Sequence, residues 1–103
     1  GPDGMTIDEE GMLWIAHWGG FNVTRWDPVK ARIIEKIEVP VPQPTSCAFG
    51  GENLDTLFIT SARVGLSKQT QKDYPASGGI FAVKTKVKGK KADFFKMGLP
   101  LSG

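Results

Sequence analysis

Short runs of apolar and β-branched residues alternate with turn residues along the whole chain. Four such runs, separated by Gly, Pro, Asp and Asn, occupy residues 5–8, 13–18, 22–26 and 32–39. Runs of this length with period-two alternation are typical of β-strands, whereas the 3.6-residue period of a helix is weak throughout. The pattern therefore predicts an all-β protein built from short antiparallel strands.

The pattern restarts after a proline-rich segment at residues 40–44. Proline cannot donate to a sheet ladder, so this segment should end the fourth strand. A second set of runs follows at residues 46–49, 56–62, 79–85 and 92–97, with a predicted hairpin at residues 87–91 between the last two. The chain thus divides into two sets of four predicted strands.

The two sets also resemble each other in sequence. Residues 2–4 (PDG) match residues 44–46 (PTS), and residues 13–16 (LWIA) match residues 57–60 (LFIT). The offsets are close to the length of a four-stranded propeller blade, roughly 40–45 residues, although short apolar strands can also coincide by chance. We therefore predict two four-stranded antiparallel blades of a β-propeller, at residues 1–40 and 41–103.

Two blades alone would leave apolar surface uncovered. A propeller blade is hydrophobic on both broad faces and needs a neighbour on each side, and soluble proteins avoid exposing large apolar patches. We therefore expect either self-association or packing against further blades of a longer chain. The start of the chain, Gly-Pro without a Met, adds to the expectation that it is a piece of something longer.

Composition and charge narrow the function classes. Hydrophobic residues make up 40% and charged residues 23% of the chain, as in ordinary soluble domains. The net charge of +2 is too small to indicate a nucleic-acid or membrane partner, and we expect neither a membrane-spanning segment nor a signal peptide in this sequence. The single cysteine, Cys47, excludes an intrachain disulfide and fits a reducing compartment, so we expect a cytoplasmic protein.

Several residues have plain structural interpretations. Cys47 has no neighbouring His or basic residue that would lower its thiol pKa, which favours a buried structural cysteine. Trp14 and Trp26 occupy strand positions and are interpreted as blade packing. His17, at a strand end, is more often a hydrogen-bonded surface residue than a channel ligand.

Two polar regions lie in the second predicted blade. The connection at residues 63–77 is longer than most loops, which makes it a candidate lid, and within it residues 66–74 could form a helical turn capped by Ser67. Lysines alternate along the predicted hairpin, at positions 84, 86, 88, 90, 91 and 96. A nucleic-acid patch usually comes with interleaved aromatics and a higher overall charge, so solvated strand edges, where lysine discourages edge pairing, are favoured.

Six segments taken together resemble one known family. They are PDGMTID (2–8), LWIAHWGG (13–20), RWDP (25–28), PTSCAFGG (44–51), LFITSAR (57–63) and GGIFAV (78–83). Their order and spacing are similar to the last third of the senescence-marker-protein/gluconolactonase/luciferin-regenerating (regucalcin-like) family. That resemblance implies a six-bladed propeller that binds one divalent metal, calcium or zinc, in its channel and hydrolyses sugar lactones or related esters.

The resemblance assigns one metal-binding and catalytic position to this sequence. In the family, the aspartate of the P-D-G-M motif is a metal ligand and the proposed general base, and Asp3 occupies that position; without the resemblance it would be ordinary turn chemistry. The family's other ligands, a glutamate near its start and an asparagine in its middle, lie outside this sequence, as do its sugar-binding arginine and asparagine. One carboxylate cannot hold calcium or zinc, which need six to eight or about four ligands.

The sequence therefore predicts part of a metal-dependent sugar lactonase that is inactive and binds no metal alone. The alternative is a non-catalytic, structural or self-associating pair of blades. Trp18 is a candidate apolar wall for the substrate, although packing is the simpler interpretation. Arg63 and Ser61 are candidate substrate contacts, with capping of the following loop as the simpler interpretation.

Overall fold

The computed structural model describes the backbone of residues 2–90 and the side chains of residues 4–90. The first sheet contains β1 (Pro2–Ile7), β2 (Leu13–His17), β3 (Asn22–Asp27) and β4 (Arg32–Glu38), in spatial order β1-β2-β3-β4. The second contains β5 (Pro44–Gly50), β6 (Thr56–Ser61) and β7 (Ile80–Lys84), in order β5-β6-β7. All pairings are antiparallel, which confirms the all-β prediction. The predicted strand at residues 92–97 lies outside the described residues.

Equivalent residues of the two sheets pair in the same hydrogen-bond register. In the first sheet Met5 pairs with Ile15, and in the second Cys47 pairs with Ile59. Met5 and Cys47 are separated by about 42 residues, and Ile15 and Ile59 by about 44, which are the offsets of the sequence repeat. Each first strand also has an irregularity near its start, between Pro2 and Met5 in β1 and between Pro44 and Ser46 in β5. The repeat is therefore present in the backbone as well as in the sequence.

The core lies between the two stacked sheets. β5 packs across β1 and β2. The buried core residues of these sheets come from β2, β3, β5 and β6: Trp14, Ala16, Val23, Cys47, Phe49, Leu57 and Ile59. The rings of Trp14 and Phe49 meet edge to face at a centroid distance of 5.7 Å, a favoured aromatic geometry. Each large apolar side chain buried here stabilises the fold by roughly 1.5–3 kcal/mol.

The long connection between β6 and β7 contains the predicted helical turn, α1 (Lys68–Asp73). Ser67 caps it, because its hydroxyl accepts a hydrogen bond from the Thr70 backbone N–H at 3.1 Å. Just after α1, the ring of Tyr74 packs on Phe21 at a centroid distance of 5.0 Å. The connection is thereby fastened to the turn between β2 and β3 in the first sheet.

The segment after β7 contains the positions of the hairpin predicted at residues 87–91, whose second predicted strand lies outside the described residues. Its described part, residues 87–90, bonds to the first sheet: the Lys88 carbonyl accepts from the Glu9 N–H at 2.8 Å, and Gly89 forms a bridge with Asp8. Gly89 also packs directly on Phe49, where a Cβ at residue 89 would overlap the Phe49 Cβ. These residues therefore close the core between the sheets. Within residues 2–90, no helix has the length and hydrophobicity needed to cross a membrane.

Candidate functional site

Asp3 lies in the irregularity of β1. Pro2 is paired with His17, and the next regular pair is Met5 with Ile15, so residues 3 and 4 together oppose a single residue of β2. Such β-bulges are common beside functional sites, where they re-aim a side chain. The Asp3 side chain itself lies outside the described part of the structure. We call this end of the molecule, where β1 and β5 begin and β2 and β6 end, the Asp3 end.

Gly4 allows β1 and β5 to touch at the Asp3 end. A Cβ at Gly4 would lie 2.7 Å from the Ser46 Cα and closer still to its side chain. Only glycine fits so close to a neighbouring backbone. This contact places the bulge that carries Asp3 beside the corresponding bulge of β5, at Thr45.

His17 stands across the sheet from the start of β1 and is held by a hydrogen bond. Its Nε2 lies 2.7 Å from the Thr24 hydroxyl. Partial burial lowers the pKa of His17 below its ordinary value of 6.5, and the nearby positive charge of Lys36 lowers it further. The imidazole is therefore predominantly neutral at pH 7, in agreement with the interpretation of His17 as a hydrogen-bonded residue.

The polar side chains of the second sheet at the Asp3 end bond to each other or to backbone. The hydroxyls of Thr45 and Thr60 are 2.7 Å apart. Ser61 donates to the Gly79 carbonyl at 2.7 Å and accepts from the Gly78 N–H at 3.0 Å. Ser61 thus ties down the end of the long connection, which supports loop capping over substrate contact for this residue.

Trp18 and Arg63, the two candidate substrate residues, both lie on the surface at the Asp3 end. Trp18 follows β2 and is 39% exposed. Arg63 follows β6, is exposed, and runs along Gly78, where a Cβ would meet its Nε at 3.5 Å. Both positions leave the side chains accessible, and their contact with a substrate remains a prediction.

The described residues do not fit a complete metal centre. Among them, no group of three or more His, Cys, Asp or Glu side chains is close enough to hold an ion. Asp3 would add a single carboxylate, whereas calcium takes six to eight oxygen ligands and zinc about four ligands. Any metal bound through Asp3 would need ligands from elsewhere.

The best-built polar cluster is one that sequence reasoning missed, at the opposite end of the first sheet. The Asp8 carboxylate is fully buried. It accepts hydrogen bonds from the backbone N–H groups of Glu10 at 2.8 Å and Met12 at 3.1 Å, from the Trp14 indole at 2.8 Å and from the Arg25 guanidinium at 2.9 Å. Asp8 therefore holds the β1–β2 turn and joins three strands of the sheet.

Arg25 completes this cluster. It also forms an ion pair with Glu10 at 2.9 Å, and its guanidinium lies 5.7 Å from the centroid of the Trp14 ring, within reach of a cation–π interaction. Burial opposes the charge of Arg25, but the hydrogen bonds to Asp8 and Glu10 outweigh it and raise the pKa of Arg25. In the sequence, Asp8, the turn glycine Gly11 and Trp14 lie close together, but this spacing alone does not identify Arg25 in β3 as the partner of Asp8.

Cys47 is confirmed as a buried structural residue. Its thiol donates to the Trp14 carbonyl at 3.3 Å, and burial raises the pKa of Cys47 to about 12. A thiol with this pKa carries almost no thiolate at neutral pH, so it cannot act as a nucleophile.

The described fold is a repeat of two stacked antiparallel sheets, and the first strand carries Asp3 within its bulge. The family model described as "SMP-30/Gluconolactonase/LRE-like region" matches residues 1–63. The chain belongs to this family, which confirms the resemblance drawn from the six sequence segments.

Relatives and solved structures agree with this assignment. The "Putative sugar lactone lactonase YvrE" of Bacillus subtilis (strain 168) is 43% identical over 88 residues, which cover 85% of this chain and 30% of the relative. Human regucalcin is 43% identical over 82 residues, or 80% of this chain and 27% of regucalcin. The crystal structure of a calcium-binding protein, regucalcin, from Agrobacterium tumefaciens matches with a TM-score of 0.82 at 38% identity, over 87% of this chain and 30% of that one. The chain therefore spans about 30% of the length of these relatives.

Proposed function

We propose that this chain forms part of a divalent-metal-dependent sugar lactonase, a hydrolase of cyclic esters, and that Asp3 is its contribution to the metal site. Membership of the gluconolactonase family supports the reaction class. The related regucalcin from Agrobacterium tumefaciens is a calcium-binding protein, which supports calcium as the metal. The observation that carries the proposal is the position of Asp3 in the β1 bulge, where β1 and β5 touch.

The proposal takes the two sheets as neighbouring blades of a propeller. The innermost strands would then be β1 and β5, which lie in contact at Gly4 and Ser46, and the Asp3 end would open on the central channel. In this arrangement Trp18 and Arg63 lie at the rim of the channel, where an apolar wall and a cationic donor could contact a sugar lactone.

The chemistry required of Asp3 is modest. Ester hydrolysis adds a water oxygen to the lactone carbonyl carbon and breaks the ring C–O bond. A carboxylate beside that carbon can accept the proton of the attacking water and return it to the ring oxygen as that oxygen leaves. A bound divalent cation supplies Lewis-acid polarisation of the carbonyl. Since the described residues do not complete a metal centre, we propose that the chain alone hydrolyses no lactone.

Two activity measurements test this proposal. The chain alone, assayed with gluconolactone and millimolar calcium or zinc, should match its Asp3→Ala variant; a rate well above that variant would contradict the proposed inactivity. In a chimera, this chain replaces the matching segment of the Bacillus relative. The chimera should hydrolyse gluconolactone, and Asp3→Asn should lower its rate by a factor on the order of 10²–10⁴, the usual contribution of a positioned acid or base.

Exposed Asp73 provides the matched control, since Asp73→Asn makes the same chemical change on α1 and should leave the chimera's activity intact. Full activity of the Asp3→Asn chimera would overturn the assignment of Asp3.

A further inference from the structure

Thr45 occupies in the second sheet the position that Asp3 occupies in the first. Each residue directly follows the proline that begins its strand, and each lies in the irregularity of that strand. The repeat that relates the two sheets therefore carries Asp3 onto Thr45. Bulges of this kind re-aim a side chain beside functional sites, so the second sheet has a hydroxyl at the position where the first has a carboxylate.

The two equivalent positions are also neighbours in space. Gly4 directly follows Asp3, and Ser46 directly follows Thr45. These two following residues are in contact, because a Cβ at Gly4 would lie 2.7 Å from the Ser46 Cα. The bulges of β1 and β5 therefore lie side by side at the Asp3 end. A lactone held at Asp3 would lie beside the bulge that carries Thr45.

The Thr45 hydroxyl is oriented by a partner in β6. Its Oγ1 lies 2.7 Å from the Thr60 Oγ1, which in turn lies 3.4 Å from the Ser46 carbonyl oxygen and can donate to it. A threonine hydroxyl has one proton and two acceptor lone pairs. If Thr60 donates to Ser46, Thr45 donates to Thr60 and keeps both lone pairs; if Thr60 donates to Thr45, Thr45 keeps its proton. With these described partners, Thr45 retains hydrogen-bonding capacity in both arrangements.

This capacity matches an alcohol hydroxyl. Thr45 offers acceptor lone pairs in the first arrangement and an O–H donor in the second, and an alcohol can bond to either because it both donates and accepts. A sugar lactone carries such a hydroxyl on C2, the carbon next to the carbonyl carbon that water attacks. We propose that Thr45 binds the C2 hydroxyl and so determines specificity for hydroxylated lactones, an inference that rests on the function proposed above.

Steady-state kinetics of the chimera with gluconolactone and with 2-deoxygluconolactone test this assignment. Thr45→Val keeps the shape of the side chain but lacks its hydroxyl. It should lower kcat/KM for gluconolactone by a factor on the order of 3–10, the usual net contribution of one neutral hydrogen bond. It should leave kcat/KM for 2-deoxygluconolactone unchanged, because that substrate lacks the hydroxyl that Thr45 binds. Thr45→Ala gives the same comparison if the valine variant does not fold.

Two further variants of the chimera separate a substrate contact from a structural effect. Thr45→Ser retains a hydroxyl and should match the unmodified chimera with both lactones. Thr85 provides the matched control at the opposite end of the second sheet, where its Oγ1 lies 3.1 Å from the Asp55 carbonyl and 2.6 Å from the Val87 carbonyl. Thr85→Val makes the same chemical change and also removes hydrogen bonds within the fold, but it should leave kcat/KM for both lactones unchanged.

Three results would overturn the role of Thr45 and leave that of Asp3 intact, since Asp3→Asn tests Asp3 separately. They are an unchanged kcat/KM of Thr45→Val with gluconolactone, an equal loss with both lactones, and a Thr45→Ser variant that behaves like Thr45→Val. A chimera that hydrolyses neither lactone would instead contradict the proposed function, and the assignment of Thr45 would fall with it.

Discussion

Replacing Asp8 by alanine should destabilise the fold more than any change to a surface carboxylate. The fully buried carboxylate accepts two backbone hydrogen bonds, one from Trp14 and one from Arg25. Its removal leaves an indole N–H and a largely buried guanidinium without their partner, and breaking a buried ion pair costs about 3–5 kcal/mol. In a domain of this size each kcal/mol corresponds to about 4–8 °C in Tm, so Asp8→Ala should lower Tm by more than about 10 °C.

Differential scanning calorimetry or thermal circular dichroism measures this effect. Asp8→Asn keeps one carbonyl acceptor and the side-chain shape, and should fall between wild type and Asp8→Ala; it also provides a measurement if the alanine variant does not fold. Asp55→Ala is the matched control, because it breaks the exposed ion pair with Lys84 and should change Tm little. If Asp8→Ala melted within a few degrees of wild type, the cluster would not hold the first sheet together as described.

Three further predictions follow from single positions. Gly4→Ala should lower the free energy of unfolding by about 1–3 kcal/mol in urea, because its Cβ would overlap Ser46; an unchanged urea midpoint would contradict the close approach of β1 and β5. Cys47 should resist iodoacetamide at pH 8 in the folded chain, since burial raises its pKa to about 12, and rapid labelling without unfolding would refute this. Hydrogen bonds from the backbone of Lys30 and Val29 lower the pKa of Asp27 below 3.8. The ionised carboxylate therefore stabilises the fold fully above pH 3.8, and this stabilisation is lost as the pH falls through the lowered pKa. The Tm difference between wild type and Asp27→Asn should therefore shrink in acid, and a constant difference would contradict it.

Most strands could be predicted because alternation of apolar and polar residues is a local signal. The errors lie at the strand starts: β1 and β5 were expected at residues 5–8 and 46–49 but begin at Pro2 and Pro44. Proline is tolerated as the first residue of a strand, and the bulges shift the alternation there, so the pattern is lost where the candidate site begins. The Ser67 cap was predictable because its partner lies three residues away.

Long-range polar contacts could not be predicted in this way. Asp8 and Arg25 are 17 residues apart in sequence, and only the register of three strands brings them together. The bonds from residues 87–90 to the first sheet likewise depend on how the two sheets stack. Asp3 was found through the P-D-G-M motif of the family, since its local sequence is also that of an ordinary turn.

Metal binding to the chimera tests the role of Asp3 most directly, because it requires no substrate. Isothermal titration of calcium, and separately of zinc, would compare the chimera with its Asp3→Asn and Asp73→Asn variants. Loss of outer-sphere partners alone weakens metal binding about 10–100-fold, so loss of a direct ligand should weaken it by at least about 100-fold. The account predicts this loss for Asp3→Asn and unchanged affinity for Asp73→Asn; equal affinity of all three proteins would contradict it.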